Sequence, residues 1–209
     1  MHIAILTFEG FNELDSLIAF GILNRVDRHD WKVSIASPTP TVRSMNGLQI
    51  EATATLPDAC EADAVIVGSG RRTREVVADP KIMTVLHDLG PSRQLLAAQC
   101  SGTLVLAKLG LLDGVPACTD LKSKPWVVAA GVDVVNQPFH TKGDIATAGG
   151  CLASHYLATW LITRLAGTQA AVDALSYIVP VGEKDEYIDR AMRNTRQLDV
   201  TGAPAAASW

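Results

Sequence analysis

Arg93-Gln-Leu-Leu-Ala-Ala-Gln-Cys100-Ser-Gly-Thr-Leu-Val-Leu-Ala107 decides how the rest of this chain is read. The apolar run Leu95-Leu-Ala-Ala98 is short and bounded, as a strand buried on both faces is. Ser101 to Leu109 reads as a helix opened by Ser-Gly-Thr. Cys100 falls at the join. A strand that turns sharply into a helix presents its turn residue at the carboxyl edge of a sheet, over a helix N-terminus. The helix dipole and free backbone N–H groups there are expected to lower a thiol pKa and make Cys100 a nucleophile. The competing reading is a small buried core cysteine.

Working outward, strand and helix signals alternate. Residues 2–7 read as a buried strand, and Leu14, Leu17, Ile18, Gly21 and Ile22 mark a helix stripe that Val26 extends. Trp31 to Ala36 is a second strand. Asn46-Gly47 lies between strand-like runs within residues 42–55 and signals a hairpin. Ala64-Val-Ile-Val67 is a third buried strand, ending in Gly68-Ser69-Gly70. Glu75 to Leu89 is helical, with a break and restart at Asp79-Pro80. Beyond the central segment, Val115 to Thr119 reads as a strand and Leu121 to Ala130 as a helix. Asp133 to Asn136 and Asp144 to Thr147 read as a strand pair around His140-Thr-Lys-Gly143. Helices over Leu152–Leu165, Gln169–Tyr177 and Glu183–Arg196 follow. This order predicts an α/β fold: a doubly wound three-layer sandwich with a mostly parallel central sheet. One domain over residues 1–197 is expected, with a small-residue-rich mobile tail at 198–209.

The 209 residues are 48% hydrophobic and 19% charged, with a formal net charge of −4, so composition gives no support to nucleic-acid binding. No apolar run approaches the length of a membrane span. Four widely spaced cysteines (Cys60, Cys100, Cys118 and Cys151), with no signal-peptide pattern, suggest a reduced, cytoplasmic protein. Cys118 and Cys151 could be secondary redox thiols or a zinc pair with a histidine, but no metal-ligand spacing is present, and packing is the expected role of both.

In such a sheet, reactive groups gather at the carboxyl ends of strands. Four segments end there: Phe8 to Asp15, Gly68-Ser-Gly70, Cys100, and Thr119-Asp120. A carboxyl beside a cysteine can position the thiol or move a proton. Asp15 and Glu13 compete for that role, and helical spacing does not choose between them. Asn12 as N-cap with Asp15 three residues later would be a weak capping box. The backbone N–H groups after the third strand, with that of Ser101, could line a pocket for negative charge. Of the five histidines, none follows a strand end near Cys100, so a Cys-His dyad is not supported.

Ala98-Gln-Cys100-Ser-Gly-Thr-Leu-Val-Leu resembles the nucleophile elbow of the ThiJ/PfpI superfamily. Phe8-Glu-Gly-Phe-Asn-Glu-Leu-Asp15, Ala64-Val-Ile-Val-Gly-Ser-Gly70 and Ala146-Thr-Ala-Gly-Gly150 resemble its flanking segments, in order, over residues 1–195. Leu14-Asp15 is most similar to the isonitrile (cyclohexyl-isocyanide) hydratase branch. The resemblance implies a flavodoxin-like fold, Cys100 as nucleophile, Asp15 as its acid, and the N–H groups of Gly70 and Ser101 as the pocket for developing charge. It also implies a cofactor-free lyase acting on a small molecule, and a homodimer. Two positions depart from the family pattern. Pro-Gly-Gly is Gly68-Ser69-Gly70, and Thr-His is Thr119-Asp120, so Asp120 stands where many members carry histidine. The expected activity is conversion of an isonitrile to an N-substituted formamide. The alternatives are a glyoxalase-type small-carbonyl enzyme and a cysteine redox sensor.

Overall fold

A computed structural model describes residues 1–196, so the tail expected at 198–209 lies outside the described residues. Six strands form one sheet: β1 (His2–Leu6), β2 (Lys32–Ala36), β5 (Ala64–Val67), β6 (Leu95–Gln99), β7 (Phe139–Lys142) and β8 (Ile145–Ala148). Their spatial order is β2-β1-β5-β6-β8-β7, parallel throughout except for the edge strand β7. Strands β3 (Thr41–Arg43) and β4 (Gln49–Glu51) make the expected hairpin, with Gly47 at φ 95° in its turn. This is the doubly wound, flavodoxin-like arrangement. The chain leaves β1 toward β2 on one side, then crosses to β5 on the other, opening a crevice between the carboxyl ends of β1 and β5.

Side chains alternate across the sheet because strand residues point to opposite faces. Ile3, Ile5, Ile66 and Ala97 meet helices α1 (Glu13–Leu23), α7 (Ser154–Ala166) and α8 (Thr168–Ile178), with Ala191 of α9 (Lys184–Thr195) in the same layer. Leu6, Val65, Val67, Leu96 and Ala98 meet the other layer: α2 (Leu56–Cys60), α3 (Thr73–Val76), α4 (Pro80–Leu86), α5 (Gly102–Lys108) and α6 (Lys124–Ala129). Both faces of the central strands are therefore covered, which is why those strands read as unbroken apolar runs.

Several expectations need correcting. Val115 to Thr119 and Asp133 to Asn136 are not strands; they touch through a single parallel bridge, Ala117 to Val134. The partner of β8 is instead β7, which begins after Pro138 and turns at Gly143 (φ 61°). Val134 and Val135 give this segment its strand-like look, but Val134, like the neighbouring Val132, packs against the core from a loop. Helix α2 went unforeseen, although Thr55 and Asp58 form a capping box at its start. Helix α6 starts at Lys124 and not at Leu121, because the Asp120 side chain holds the preceding turn by accepting from the N–H groups of Lys122 and Ser123. The break at Asp79-Pro80 falls as expected, with Asp79 capping α4. In α1 the buried residues are Asp15, Ser16, Ala19, Ile22 and Leu23. Of the predicted stripe, Ile22 and Val26 are buried in the core and Ile18 packs against it, while Leu17, Ile18 and Gly21 also border an apolar groove of about 410 Å³ against α8 and Tyr187.

Candidate active site

Cys100 sits where β6 ends and α5 begins, and its backbone φ of +48° is the only positive value among described non-glycine residues. That conformation costs an L-residue about 1–2 kcal/mol, so the surroundings must hold it. The Cys100 N–H donates to the Ala148 carbonyl (2.8 Å), and Thr119 Oγ1 donates to the Cys100 carbonyl (2.7 Å). Gly102 lets the helix start press against β5: a Cβ there would stand 2.2 Å from the Val67 carbonyl oxygen. The Gln99 amide donates both to the Cys100 sulfur (3.3 Å) and to the Gly150 carbonyl (2.8 Å), tying the turn to the end of β8.

Asp15 is the acid that reaches this turn. Its side chain is 1% exposed in the crevice between β1 and β5. Ser69 Oγ donates a short hydrogen bond to Asp15 Oδ2, while Oδ1 has no hydrogen-bond partner among the described residues. The expected capping box does not form. Asn12 Oδ1 accepts from the Leu14 N–H, but the Asn12 N–H is spent on the Ser69 carbonyl, so Asp15 turns inward. Glu13 points elsewhere, accepting from the Asn46 amide (2.8 Å). Burial raises the Glu13 pKa, and hydrogen bonds from its own N–H, Asn46 and Ser44 outweigh that, leaving it below the usual value.

Burial pushes the Asp15 pKa up, against hydrogen-bonding influence from Ser69, Cys151 and Cys100, with the Asp120 charge adding to the rise. Cys100 is shifted upward as well, by burial first and then by the charge of Asp15; Gln99 and the Gly150 N–H work the other way. The expectation of a lowered thiol pKa is therefore corrected. Desolvation and a neighbouring carboxylate outweigh the N-terminus of a seven-residue helix. Cys100 and Asp15 act on each other: the Asp15 charge raises the thiol, and the thiol is among the hydrogen-bonding influences on Asp15.

The other expected residues fall as follows. The Gly70 N–H donates to Ser101 Oγ (3.1 Å), whose hydroxyl also meets Thr73 Oγ1 (2.7 Å). Asp120 belongs to the turn before α6 and borders a cavity of about 380 Å³ with Thr119, Lys124, Gln137, Gly149 and Gly150. Histidine is elsewhere: His140 lies on β7, and His155, in the first turn of α7, faces the apolar groove. Sequence reasoning missed Ser69 as the Asp15 partner and missed that Cys151 adjoins the same acid. The Cys151 sulfur accepts from the Asn12 amide (3.2 Å), and the thiol adjoins Asp15. No local pattern marks either residue, because both contacts join segments far apart in sequence. Among the described residues, no three His, Cys, Asp or Glu side chains converge as a metal-binding set.

An open, mostly parallel sheet with a left-handed cysteine at a strand-to-helix turn, facing a buried acid across the strand crossover, defines a cysteine-elbow α/β protein. The chain belongs to the DJ-1/PfpI family, whose model matches residues 1–164. It is similar to the isonitrile hydratase of Pseudomonas putida, 27% identical over 130 residues covering 62% of this chain and 57% of that protein. It is also similar to DJ-1 protein homolog F of Arabidopsis thaliana, 33% identical over 84 residues, 40% of this chain and 21% of that protein. Both matches span less than two thirds of the relative's length. Among solved structures, a THiJ/PfpI family protein from Pseudomonas syringae superposes with a TM-score of 0.76 at 19% identity, covering 93% of this chain and 87% of that one. Schizosaccharomyces pombe DJ-1 superposes at 0.74 and 14% identity, covering 86% and 100%. These structural likenesses concern the fold.

Proposed function

We propose that this protein is a cysteine-dependent, cofactor-free hydratase that converts an isonitrile to an N-substituted formamide. The observation that carries the reading is Asp15: a carboxyl whose pKa burial raises, with one oxygen unpartnered, beside a thiol at a strand-to-helix turn. The similarity to an isonitrile hydratase supports the same reaction class.

Hydration of an isonitrile needs a proton and a nucleophile delivered to one carbon. The protonated Asp15 carboxyl supplies the proton to the terminal carbon, and Cys100 sulfur bonds to that carbon as its own proton passes to Asp15. The net result is addition of S–H across the carbon, giving a thioimidate. Water then adds its oxygen to the carbon and a proton to the nitrogen. The tetrahedral adduct collapses to the formamide, and its hydroxyl proton returns to the Cys100 sulfur through Asp15. The substituent on nitrogen has room in the cavity of about 380 Å³ beside Gly149 and Gly150.

The test is formamide release from cyclohexyl isocyanide, followed by chromatography. Wild type turns over, and Cys100→Ala loses activity by three orders of magnitude or more, on the order seen when a nucleophile is removed. Formamide release at an unchanged rate in Cys100→Ala would sink this reading.

A further inference from the structure

Strand β6 ends on a polar residue that packing does not account for. It reads Leu95-Leu-Ala-Ala-Gln99, is buried along its whole length, and Gln99 is 0% exposed. Burying an amide is costly unless its N–H groups and its carbonyl are met. Gln99 Nε2 donates to the Cys100 sulfur (3.3 Å) and to the Gly150 carbonyl (2.8 Å). A carbonyl can only accept, so the Gly150 contact settles which end of the amide is nitrogen. The other end, Oε1, is buried and has no hydrogen-bond partner among the described residues.

Gln94, just before the same strand, is the contrasting case. It is 4% exposed, and its Nε2 donates to the carbonyls of Ala59, Cys60 and Ala62 while its Oε1 accepts from the Gly90 N–H. Both ends of that amide are spent on tying backbone together. Gln99 instead gives one N–H to the reactive sulfur and keeps its acceptor without a protein partner. Gly150, which takes the second N–H, is also a wall of the cavity of about 380 Å³, so the amide links the nucleophile to the space assigned to the substrate.

We propose that Gln99 is a further catalytic residue of the hydration: its Nε2 steadies the Cys100 thiolate, and its Oε1 holds the water that hydrolyses the thioimidate. The proposal rests on the hydratase reading above. A donor on the sulfur favours the thiolate, and the Gln99 contact is one of the influences that oppose the upward push of burial and of Asp15. Nitrogen and oxygen of the amide share one carbon, so a water on Oε1 lies within reach of the carbon bonded to the sulfur that Nε2 touches. That water forms the new C–O bond and gives a proton to the substrate nitrogen. The C–S bond then breaks as the hydroxyl proton returns to sulfur through Asp15. The amide accepts and donates hydrogen bonds throughout and exchanges no proton.

Two variants separate the two ends. Gln99→Met keeps the length of the side chain and loses donor and acceptor; Gln99→Glu loses the donor and, as a carboxylate, keeps an acceptor. The first measurement is the pH profile of Cys100 alkylation by iodoacetamide, with Cys118 as the internal control. Gln99→Met is expected to move the Cys100 profile to higher pH, about a tenfold loss of rate on its rising limb. Gln99→Glu should move it further, and Cys118 should not move in either. The second measurement is the intact mass of the protein during turnover of cyclohexyl isocyanide. Gln99→Met should accumulate protein carrying one isonitrile, while wild type and Gln99→Glu should not. A Cys100 profile in Gln99→Met that matches wild type overturns the proposal. So does an adduct that accumulates equally in both variants, since a purely structural glutamine would affect them alike. Wild type that releases no formamide sinks the hydratase reading and the role of the water with it, and the alkylation profiles still decide whether Gln99 acts on the sulfur.

Discussion

Cys100 and Cys118 are both buried thiols at turns beside the end of β8, yet only one has chemistry around it. Burial raises both pKa values, that of Cys118 to about 12. At Cys118 the opposing influences are neutral hydrogen bonds from Thr147 and the Gln137 backbone. Its backbone is stitched on both sides, the N–H to Thr147 Oγ1 (2.8 Å) and the carbonyl to Thr103 Oγ1 (2.8 Å). At Cys100 the second influence is a carboxylate, and the backbone is left-handed. A buried cysteine is inert by default. What distinguishes Cys100 is a titratable partner and a strained turn, not exposure.

The widest separation between the two turns is expected from Gly102→Ala, which drives a Cβ into the Val67 carbonyl at the base of the Cys100 turn. Overpacking against backbone costs about 3 kcal/mol or more, read as a large drop in the denaturant midpoint. A midpoint equal to wild type would mean that α5 does not press on β5 as described.

A smaller effect separates the two cysteines directly. Valine at a positive φ is strained by its branched Cβ, whereas at Cys118 it meets ordinary backbone. Cys100→Val should lose about 1–3 kcal/mol more stability than Cys118→Val, measured by urea unfolding of both variants. Equal losses would show that the Cys100 backbone is not held left-handed.

The smallest effect is electrostatic. Cys100 titrates above Asp15, so the carboxylate is ionised in that range and opposes a thiolate. Asp15→Asn removes the charge and should lower the pH midpoint of Cys100 alkylation by iodoacetamide. Cys118, which has no charge among the influences on its pKa, should keep its profile. A Cys100 midpoint that does not move would mean that Asp15 does not act on the thiol.

Helix α1 shows how far the sequence could be read. Its apolar stripe predicted the element and left open which side is buried. The face that meets the sheet carries Asp15, Ser16, Ala19, Ile22 and Leu23, because the crevice above β1 and β5 needs a small polar end. Leu14 is left 54% exposed, and Leu17 and Ile18 border the apolar groove. Periodicity reports that a helix is amphipathic, but packing decides which side is inside once the buried side carries polar groups. The late hairpin repeats the lesson. Val134 and Val135 looked like strand, whereas the ladder forms six residues later, where Gly143 permits the turn and Ile145 to Ala148 find the free edge of β6.

The sequence by itself determined the alternation of buried strands and helices, the strand-to-helix turn at Cys100, and an acid in the first turn of α1. Each is written in contiguous residues: four apolar positions, a small-residue helix start, a short polar loop. Only the tertiary structure decided between Glu13 and Asp15, supplied Ser69 as the carboxyl's partner, placed Cys151 against the same acid, and turned the thiol pKa upward. Those outcomes depend on sheet register and on how much water remains between segments up to 139 residues apart. Desolvation and cross-strand contact arise from packing, which no local pattern encodes.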